Sequence, residues 1–361
     1  MKIVAGLGCI DDYIRLVQAG ADEVFCGYVP YEWNKKYGNL FPLNRREVLY
    51  YNVQISSLED MKILKKMVDV YKVPVTITFN YLYYIDEQFE LIEKIMKDLI
   101  NIGFNEFIVA DPALILYLEK KHIKCHVHLS GECAEINRSS IEFFNRFKNI
   151  SRYIFHRKNT IEDMESCISE NKDIIKEYEA FILNERCHYT GAFCSSLHCD
   201  EMAHLCKIPY HMAKIDKESS NFEEVDKKFE IYYDDSHGDL NFLNDENNIN
   251  NGNDLNDEVI CNNSNNINRV NINIEENSAN EDTYKLGTSG CGLCSLYRLK
   301  KAGVNHLKVV GRGNYIDYME RDVKNLKKAI DILEHMEDET DYEKNIKDNL
   351  FKGRCSKECY Y

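Results

Sequence analysis

Hydrophobic and polar positions follow two alternating patterns through the first 185 residues. Short β-branched or apolar runs, typical of buried strands, alternate with stretches in which apolar residues recur at helical spacing. This order predicts a parallel sheet with crossover helices. The seven runs that predict strands are Lys2–Ala5, Glu23–Cys26, Val75–Phe79, Glu106–Ala110, Lys124–Leu129, Arg152–Phe155 and Ala180–Leu183.

Amphipathic stretches between these strands predict the helices, and one further βα unit follows residue 295. Asn159-Thr160, followed by Glu162 and Asp163, provides a cap and an acidic first turn for one helix. Eight βα units would close a barrel, but a doubly wound open sheet has the same local pattern, so periodicity alone leaves both architectures open. The predicted helices are Leu58–Val70, Glu87–Ile102, Pro112–Lys121, Ser139–Phe147, Thr160–Ser169, Leu296–Lys301 and Asp317–His335, with an eighth strand at Asn305–Val310.

The composition changes sharply between the seventh and eighth predicted strands. Roughly two in five residues from 241 to 280 are Asn, with Asp and Glu interleaved. Such a segment buries too little apolar surface to offset its chain entropy, so we expect it to be disordered. We divide the chain into one domain formed by residues 1–215 and 283–335, an acidic insertion at 216–282 and a Cys-containing tail at 336–361.

The charge of the chain follows the same division. A formal charge of -15 over 361 residues argues at first against a nucleic-acid partner, because Lys and Arg are what neutralise phosphates. Residues 216–282 contain 18 acidic and 4 basic residues, so they account for -14 and leave -1 for the rest. RNA therefore stays open as a partner. No apolar run approaches the roughly twenty residues of a membrane span, and we expect a cytoplasmic protein without membrane contact.

Fourteen cysteines make metal or redox chemistry the leading explanation in a reducing compartment, where structural disulfides are rare. Isolated cysteines such as Cys26, Cys125 and Cys167 are expected to be small buried hydrophobes. Thiolates bind iron–sulfur clusters or zinc. The spacing of the cysteines as a set does not cleanly match the short paired knuckles of zinc ribbons, which favours a cluster, with zinc or no metal as alternatives. The clustered cysteines are Cys187, Cys194, Cys199 and Cys206 after the seventh strand, Cys291 and Cys294 after the insertion, and Cys355 and Cys359 at the end.

Polar residues stand at the carboxyl ends of several strands, where parallel α/β folds place their sites. Asn80, Asp111 and Arg157 each follow a strand, and His128 and Glu132 lie in and after the fifth. Each also suits a turn or a cap, and Asp-Pro in particular often begins a helix. Neither a Gly-x-Ser-x-Gly elbow nor a His-Glu-x-x-His zinc motif occurs. A cysteine nucleophile stays open, although a lone nucleophile needs only one thiol.

Six ordered motifs resemble those of the collagenase-like peptidase family U32. This sequence departs from the family's motifs at four places. The family's Thr-Gln pair is Gly131-Glu132 here, and its Arg-Glu after the sixth strand is Arg157-Lys158. Gly292 replaces its Asp before the last cysteine, and Val310 replaces its Glu before the final Gly-Arg. The similar segments are 18–27 to its GADAVYxG opening, 109–112 to VADPG, 128–132 to HxSTQ, Cys187 and Cys194 to a Cys-x6-Cys core, 289–294 to SLKDLC and 302–312 to AGVDSLKIEGR.

The resemblance implies a TIM-barrel-like (β/α)8 domain and a 4Fe-4S cluster held by four cysteines. Characterised members of the family hydroxylate RNA bases or quinone precursors without oxygen. Carried over by position, the ligands are Cys187, Cys194 and Cys294, with Cys206 favoured as the remaining one and Cys199 and Cys291 as competitors. We assign catalytic roles to His128, Glu132 and Arg157 and substrate-binding roles to Asn80, Asp111 and Arg312.

Three functions remain in competition. The first is a cluster-bearing enzyme that modifies RNA or a small aromatic substrate with an unidentified electron donor, with Arg157 and Arg312 as anion-binding groups. The second is a peptidase that uses a cysteine or a metal-activated water. The third is a non-catalytic subunit of a complex, with the acidic insertion as the arm that contacts a partner protein. For the terminal cysteines Cys355 and Cys359, three roles stay open, which are binding a second metal, joining the same cluster, or no metal role.

Overall fold

A closed barrel of eight parallel strands forms the centre of the protein. The computed structural model describes residues 1–38, 41–45, 53–133, 136–171, 176–187 and 284–361, and the backbone of 213–215 and 222–224. The strand order is β1-β10-β7-β6-β5-β4-β3-β2, closed by pairing of β2 with β1. The barrel strands are Lys2–Leu7 (β1), Glu23–Gly27 (β2), Val75–Phe79 (β3), Glu106–Val109 (β4), His126–Leu129 (β5), Ile150–Ile154 (β6), Glu177–Leu183 (β7) and His306–Val309 (β10).

Closure decides between the two architectures that the sequence pattern left open. A doubly wound sheet is open and has two edge strands, whereas here each of the eight strands pairs with a neighbour on both sides and the last strand, β10, pairs with the first through His306 and Lys2. The predicted (β/α)8 barrel is therefore confirmed, with each predicted strand present to within a few residues.

Helices cover the outside of the barrel and follow the predicted order. Three short helices, α1, α2 and α10, were not predicted. The helices are Tyr13–Ala19 (α1), Tyr31–Tyr37 (α2), Leu58–Tyr71 (α3), Asp86–Ile102 (α4), Pro112–Lys120 (α5), Arg138–Phe144 (α6), Ile161–Glu170 (α7), Leu296–Ala302 (α8), Ile316–Leu333 (α9) and Glu339–Ile346 (α10). No helix in the described part of the chain is long and apolar enough to cross a membrane.

The long insertion lies between β7 and β10, as predicted. Residues 209–278 form a compact unit separate from that of 1–208 and 279–361. In this unit, Ala213–Ile215 (β8) and Phe222–Glu224 (β9) pair antiparallel. The predicted disorder of residues 241–280 concerns residues outside those that the structure describes.

Ion pairs fill the barrel interior toward the amino ends of the strands. The Arg152 guanidinium donates to Glu23 at 2.8 Å, to Glu179 at 2.8 Å and to Glu177 at 2.7 Å, and Lys308 Nζ donates to Glu179 at 2.6 Å. Because every cation has a carboxylate in contact, these buried charges are compensated. An apolar layer of Val4, Phe25, Ile108, Ile154, Phe181 and Val310 packs together in a separate cluster within the barrel.

The C-terminal residues return to the barrel. Tyr342 on α10 is fully buried and donates to the Leu293 carbonyl at 2.9 Å. A π-helical turn at Lys347–Phe351 follows, and the last residues then run beside Cys291 in a parallel bridge through Cys359. The tail is thus packed against the segment that leads from the insertion into α8.

Candidate active site at the barrel mouth

An open cavity of about 600 Å³ lies at the carboxyl ends of the barrel strands. Its described lining carries four cationic side chains, two carboxylates and two phenylalanine rings, so the mouth has an excess of positive charge. The residues that line it are Phe25, Arg45, Thr78, Asn80, Ile108, Ser130, Glu132, Ile154, Arg157, Phe181, Glu185, Lys308, Val310 and Arg312.

Arg312 is held rigidly on one side of this mouth. It follows β10 and is buried, with its guanidinium donating to Thr78 Oγ1 at 3.2 Å and to Asn44 Oδ1 at 3.3 Å. Glycine makes this position available: a Cβ on Gly27 would lie 2.4 Å from Arg312 Nη1 and 1.6 Å from Gln54 Oε1. Because Gly27 on β2 has no side chain, the Arg312 guanidinium can reach across the barrel.

Arg157, Arg45 and Glu132 form a second group on the other side. Glu132 stands in a 3-10 turn after β5, with its carboxylate 3.4 Å from Arg157 Nη1 and 3.4 Å from Arg45 Nε. The Arg157 guanidinium also lies over the Phe181 ring at 4.0 Å, which adds a cation–π contact. Glu132 lies between the two buried guanidiniums, and Glu185, which also lines the mouth, adds a second negative charge near Arg157. Such paired guanidiniums are suited to bind a carboxylate or a phosphate.

Four of the six predicted catalytic and substrate-binding residues line the mouth, namely Asn80, Glu132, Arg157 and Arg312. Asp111 lies elsewhere as the cap of α5, where it accepts from the Ala113 amide at 2.8 Å and from the Tyr84 amide at 2.8 Å. Its carboxylate satisfies backbone donors, which accounts for its burial without a substrate.

His128 also lies outside the mouth, deeper in the barrel interior. Its Nε2 is 3.9 Å from Glu106, and its Nδ1 has no hydrogen-bond partner among the described residues. Burial first, and then Arg152 and Lys308, hold the pKa of His128 well below its usual value, so its ring is neutral at neutral pH. It therefore lies beside the buried ionic network as a neutral ring.

Arg157 connects the mouth to a second cavity that contains the first of the clustered cysteines. This cavity is lined by Arg157, Cys187, Tyr360 and Tyr361, together with Lys158, Arg186 and Arg298 and part of α7. Burial alone would lower the pKa of Arg157, but Tyr360, Glu132 and Cys187 keep it raised. The Cys187 thiol is therefore close to a cation that belongs to the mouth.

The sequence as a whole decides the family. Residues 9–360 match peptidase family U32, which is nearly the entire chain. The chain belongs to peptidase family U32. No curated protein matches its sequence.

Solved structures similar to this U32 chain share little sequence with it. The U32 peptidase Mk0906 is 11% identical, with a TM-score of 0.40, over 54% of this chain and 73% of that one. The putative copper homeostasis protein CutC from Streptococcus agalactiae is 13% identical, with a TM-score of 0.36, over 50% and 87%. Dihydrodipicolinate synthase from Bacteroides thetaiotaomicron is 10% identical, with a TM-score of 0.32, over 50% and 62%.

Two departures from the U32 motifs lie directly at the site. Glu132, in place of the family's Gln, supplies the carboxylate between Arg45 and Arg157. Gly131, in place of the family's Thr, packs against β6, where a Cβ would lie 2.8 Å from the Ile154 carbonyl oxygen. Glu132 thus adds a negative charge to the mouth, and Gly131 allows the close packing of the same turn against β6.

The predicted metal ligands of this U32 chain divide between described and undescribed residues. Cys194, Cys206 and the competitor Cys199 lie outside the residues that the structure describes. Cys187 lies beside the mouth, and Cys294 lies at a different cavity with Cys291, Cys355 and Cys359.

Sequence reasoning missed several mouth residues. Arg45 belongs to a loop that follows β2 and α2, where no pattern predicted a site. Phe25 and Phe181 look like the other apolar residues of their strands in the sequence. Lys308 stands four residues before Arg312, and its Nζ lies 3.8 Å from the centre of the Phe25 ring. A charged residue inside an otherwise apolar strand was the available signal for Lys308.

Proposed function

We propose that this U32 protein is an iron–sulfur enzyme that modifies an anionic substrate at the barrel mouth, with oxygen-independent hydroxylation of RNA or a small aromatic compound as the reaction. One observation carries the proposal. Arg157 lines both the positive mouth and the cavity that contains Cys187. A substrate anion held by Arg157 would therefore lie next to the thiolates that follow β7.

The donors fit a cluster by their chemistry. Cys187 lies beside the mouth, and the sequence supplies Cys194, Cys199 and Cys206 within the next twenty residues. Thiolates are the usual ligands of iron–sulfur clusters. The proposed ligands are Cys187, Cys194 and Cys206, with Cys294 or Cys199 as the fourth. When bound, such a cluster supplies one-electron chemistry or polarises a substrate oxygen.

The side chains of the mouth fit a substrate with both a negative group and a flat ring. Arg45, Arg157 and Arg312 would bind the negative group, as guanidiniums bind carboxylate and phosphate. Phe25 and Phe181 offer faces against which an aromatic ring or a base could pack. The Glu132 carboxylate would accept a hydrogen bond from a neutral donor on the substrate. A quinone precursor with a carboxylate and an RNA nucleotide both meet this description.

A peptidase is the weaker alternative. Neither cavity is lined, among the residues that the structure describes, by a histidine that could activate a cysteine or a water. His156 follows β6, but burial lowers its pKa to about 4, and its Nδ1 accepts from the Lys158 amide at 3.2 Å.

The first test is anaerobic purification of the full chain. We expect a brown protein that absorbs near roughly 400 nm and contains about four irons and four sulfides per chain. Cys187→Ser should lose most of the iron, because it removes a ligand. Cys125→Ser is the matched control, since that buried thiol lies just before β5 at the opposite end of the barrel.

Two outcomes would contradict the cluster. Colourless, iron-free wild-type protein would exclude it, and full iron in the Cys187→Ser variant would remove Cys187 from the ligands. Cleavage of casein or gelatin by iron-free protein would favour the peptidase. Mass spectrometry of RNA nucleosides from a deletion strain then separates the substrates, because an unchanged profile would indicate a small molecule.

A further inference from the structure

Four cysteines from two distant parts of the chain surround one small cavity. Two come from the turn before α8 and two from the last seven residues of the chain. The lining residues are Cys291, Gly292, Cys294, Ser295, Phe351, Cys355, Ser356, Glu358, Cys359 and Tyr361. All four cysteines are free thiols.

Backbone hydrogen bonds bring the two segments together. The Cys291 amide donates to the Glu358 carbonyl at 2.8 Å, and the Tyr360 amide donates to the Cys291 carbonyl at 2.8 Å. On the tail, the Ser356 hydroxyl donates to the Gly287 carbonyl at 2.8 Å. Cys359 is therefore fixed opposite Cys291, and the proximity of the thiols follows from paired backbone.

Glycines create the space that the tail occupies. A Cβ on Gly292 would lie 3.2 Å from the Tyr361 ring, and one on Gly290 would lie 3.0 Å from the Tyr360 ring. Gly290 also has a φ of +139°, which side chains rarely adopt. The tail therefore occupies a position prepared for it by the sequence around Cys291.

We propose that Cys291, Cys294, Cys355 and Cys359 form a four-thiolate site for a single zinc ion that holds the C-terminal tail on the barrel. The two pairs are spaced Cys-x2-Cys and Cys-x3-Cys, as in structural zinc sites, whose four ligands are tetrahedral. Binding forms four zinc–sulfur bonds and releases four protons from the thiols, with no change of oxidation state.

The ion would draw the sulfurs inward from where they stand. Among the described residues, the only three potential ligand atoms within 4.8 Å of one another belong to Glu23, Glu106 and His128. That group is an unsuitable cation site, because both Glu23 carboxylate oxygens accept hydrogen bonds from Arg152. No Lys or Arg is among the described residues that line the cavity of the four thiols, and the nearby Lys347 pairs with Glu343 on α10.

The four-thiolate site would also affect the structure of the mouth. The Tyr361 hydroxyl donates to the Phe181 carbonyl at 2.8 Å, and Tyr360 donates to the Asn184 carbonyl and packs on the apolar layer beneath the mouth. Both rings line the cavity that Arg157 shares with Cys187. Zinc at the four-thiolate site would thus fix one wall of the proposed active site. Because Cys294 cannot serve two metals, Cys199 would then complete the cluster near Cys187.

Metal analysis of the anaerobically purified full chain tests this site separately from the cluster. We expect one zinc per chain in the wild type. Cys355→Ser and Cys359→Ser should each lower the zinc retained after dialysis against a chelator by at least about tenfold, with iron unchanged. The reciprocal variant Cys187→Ser should lose iron and keep zinc. Tyr361→Phe, which removes only a hydroxyl group, should keep both.

Three results would overturn the proposal. The first is wild-type protein that contains no zinc, and the second is an unchanged zinc content in both tail variants. The third is a Cys359→Ser protein that loses iron and keeps zinc, which would make the tail thiols cluster ligands. Trypsin cleavage gives a measurement that needs no variant, because Arg354 directly precedes Cys355 and Lys357 lies between the two tail cysteines. Removing zinc from the wild type should speed release of residues 355–361, and an unchanged rate would show that no metal holds the tail.

Discussion

Glu179 shows how a carboxylate is kept charged inside this barrel. It is fully buried on β7, and burial alone would raise its pKa. Lys308 at 2.6 Å and Arg152 at 2.8 Å outweigh burial and lower the pKa from 4.5 to about 2. The charge therefore depends on two neighbouring strands that place cations within the same layer.

This arrangement predicts a loss of stability in acid. Because the folded pKa is below the unfolded one, the contribution is complete above pH 4.5 and disappears as the pH falls toward 2. It amounts to at most about 3 kcal/mol of unfolding free energy. Glu179→Gln should be less stable at pH 7, since it removes the carboxylate that pairs with buried Lys308 and one of the three that pair with Arg152. Its stability should fall less between pH 5 and pH 3.

Chemical denaturation across that pH range measures the effect. The control is Glu142→Gln, which changes an exposed glutamate on α6 and should keep the wild-type pH dependence. An acid dependence of Glu179→Gln equal to that of the wild type would show that Glu179 is not the group that titrates.

At the scale of the element, helix α7 illustrates how a local motif sets a boundary. Thr160 Oγ1 accepts from the Asp163 amide at 3.1 Å, and Asp163 Oδ2 accepts from the Thr160 amide at 2.9 Å. This reciprocal capping box satisfies backbone donors that the first turn of a helix leaves open. The helix begins at Ile161, where the sequence placed it to within one residue.

We expect Thr160→Ala to destabilise the protein by about 1 kcal/mol, because it removes the side-chain acceptor of the cap. Ser166→Ala, on the exposed face of the same helix, is the matched control and should be neutral or slightly stabilising, since alanine favours helix. Equal effects of the two variants in denaturant titrations would contradict a role for the cap.

At the scale of the whole molecule, charge and fold are carried by different parts of the chain. The barrel closes from residues 1–187 and 284–333. Most of the formal charge of -15 belongs to the insertion. A property of the entire protein, such as its behaviour on an ion exchanger, therefore says little about the barrel mouth, which is positive.

Deletion of residues 241–280 tests this separation. The deleted segment contains seven acidic residues and one basic residue, so the formal charge should change from -15 to -9. We expect earlier elution from an anion exchanger and an unchanged thermal unfolding midpoint, because all eight strands that close the barrel come from other parts of the chain. A clearly lowered midpoint would show that the segment stabilises the barrel.

The sequence determined the elements and the end of the barrel at which the site lies. Period-two and helical patterns depend on neighbouring residues, so they predicted the strands, and polar residues after them predicted Asn80, Glu132 and Arg157 at the mouth. The resemblance to the U32 motifs supplied Arg312. The reasoning from strand ends placed His128 at the mouth as well. His128 is two residues before Ser130 along β5, which places it about 7 Å deeper in the barrel.

Only the tertiary structure decided which side chains meet. Closure of the sheet, the reach of Arg45 from its loop and the pairing of Cys359 with Cys291 join residues that are far apart in sequence. No local pattern records such contacts, because they depend on how the barrel closes and on where glycines such as Gly27 and Gly292 leave space. The cysteines were visible in the sequence from the start, and folding determined which of them became neighbours.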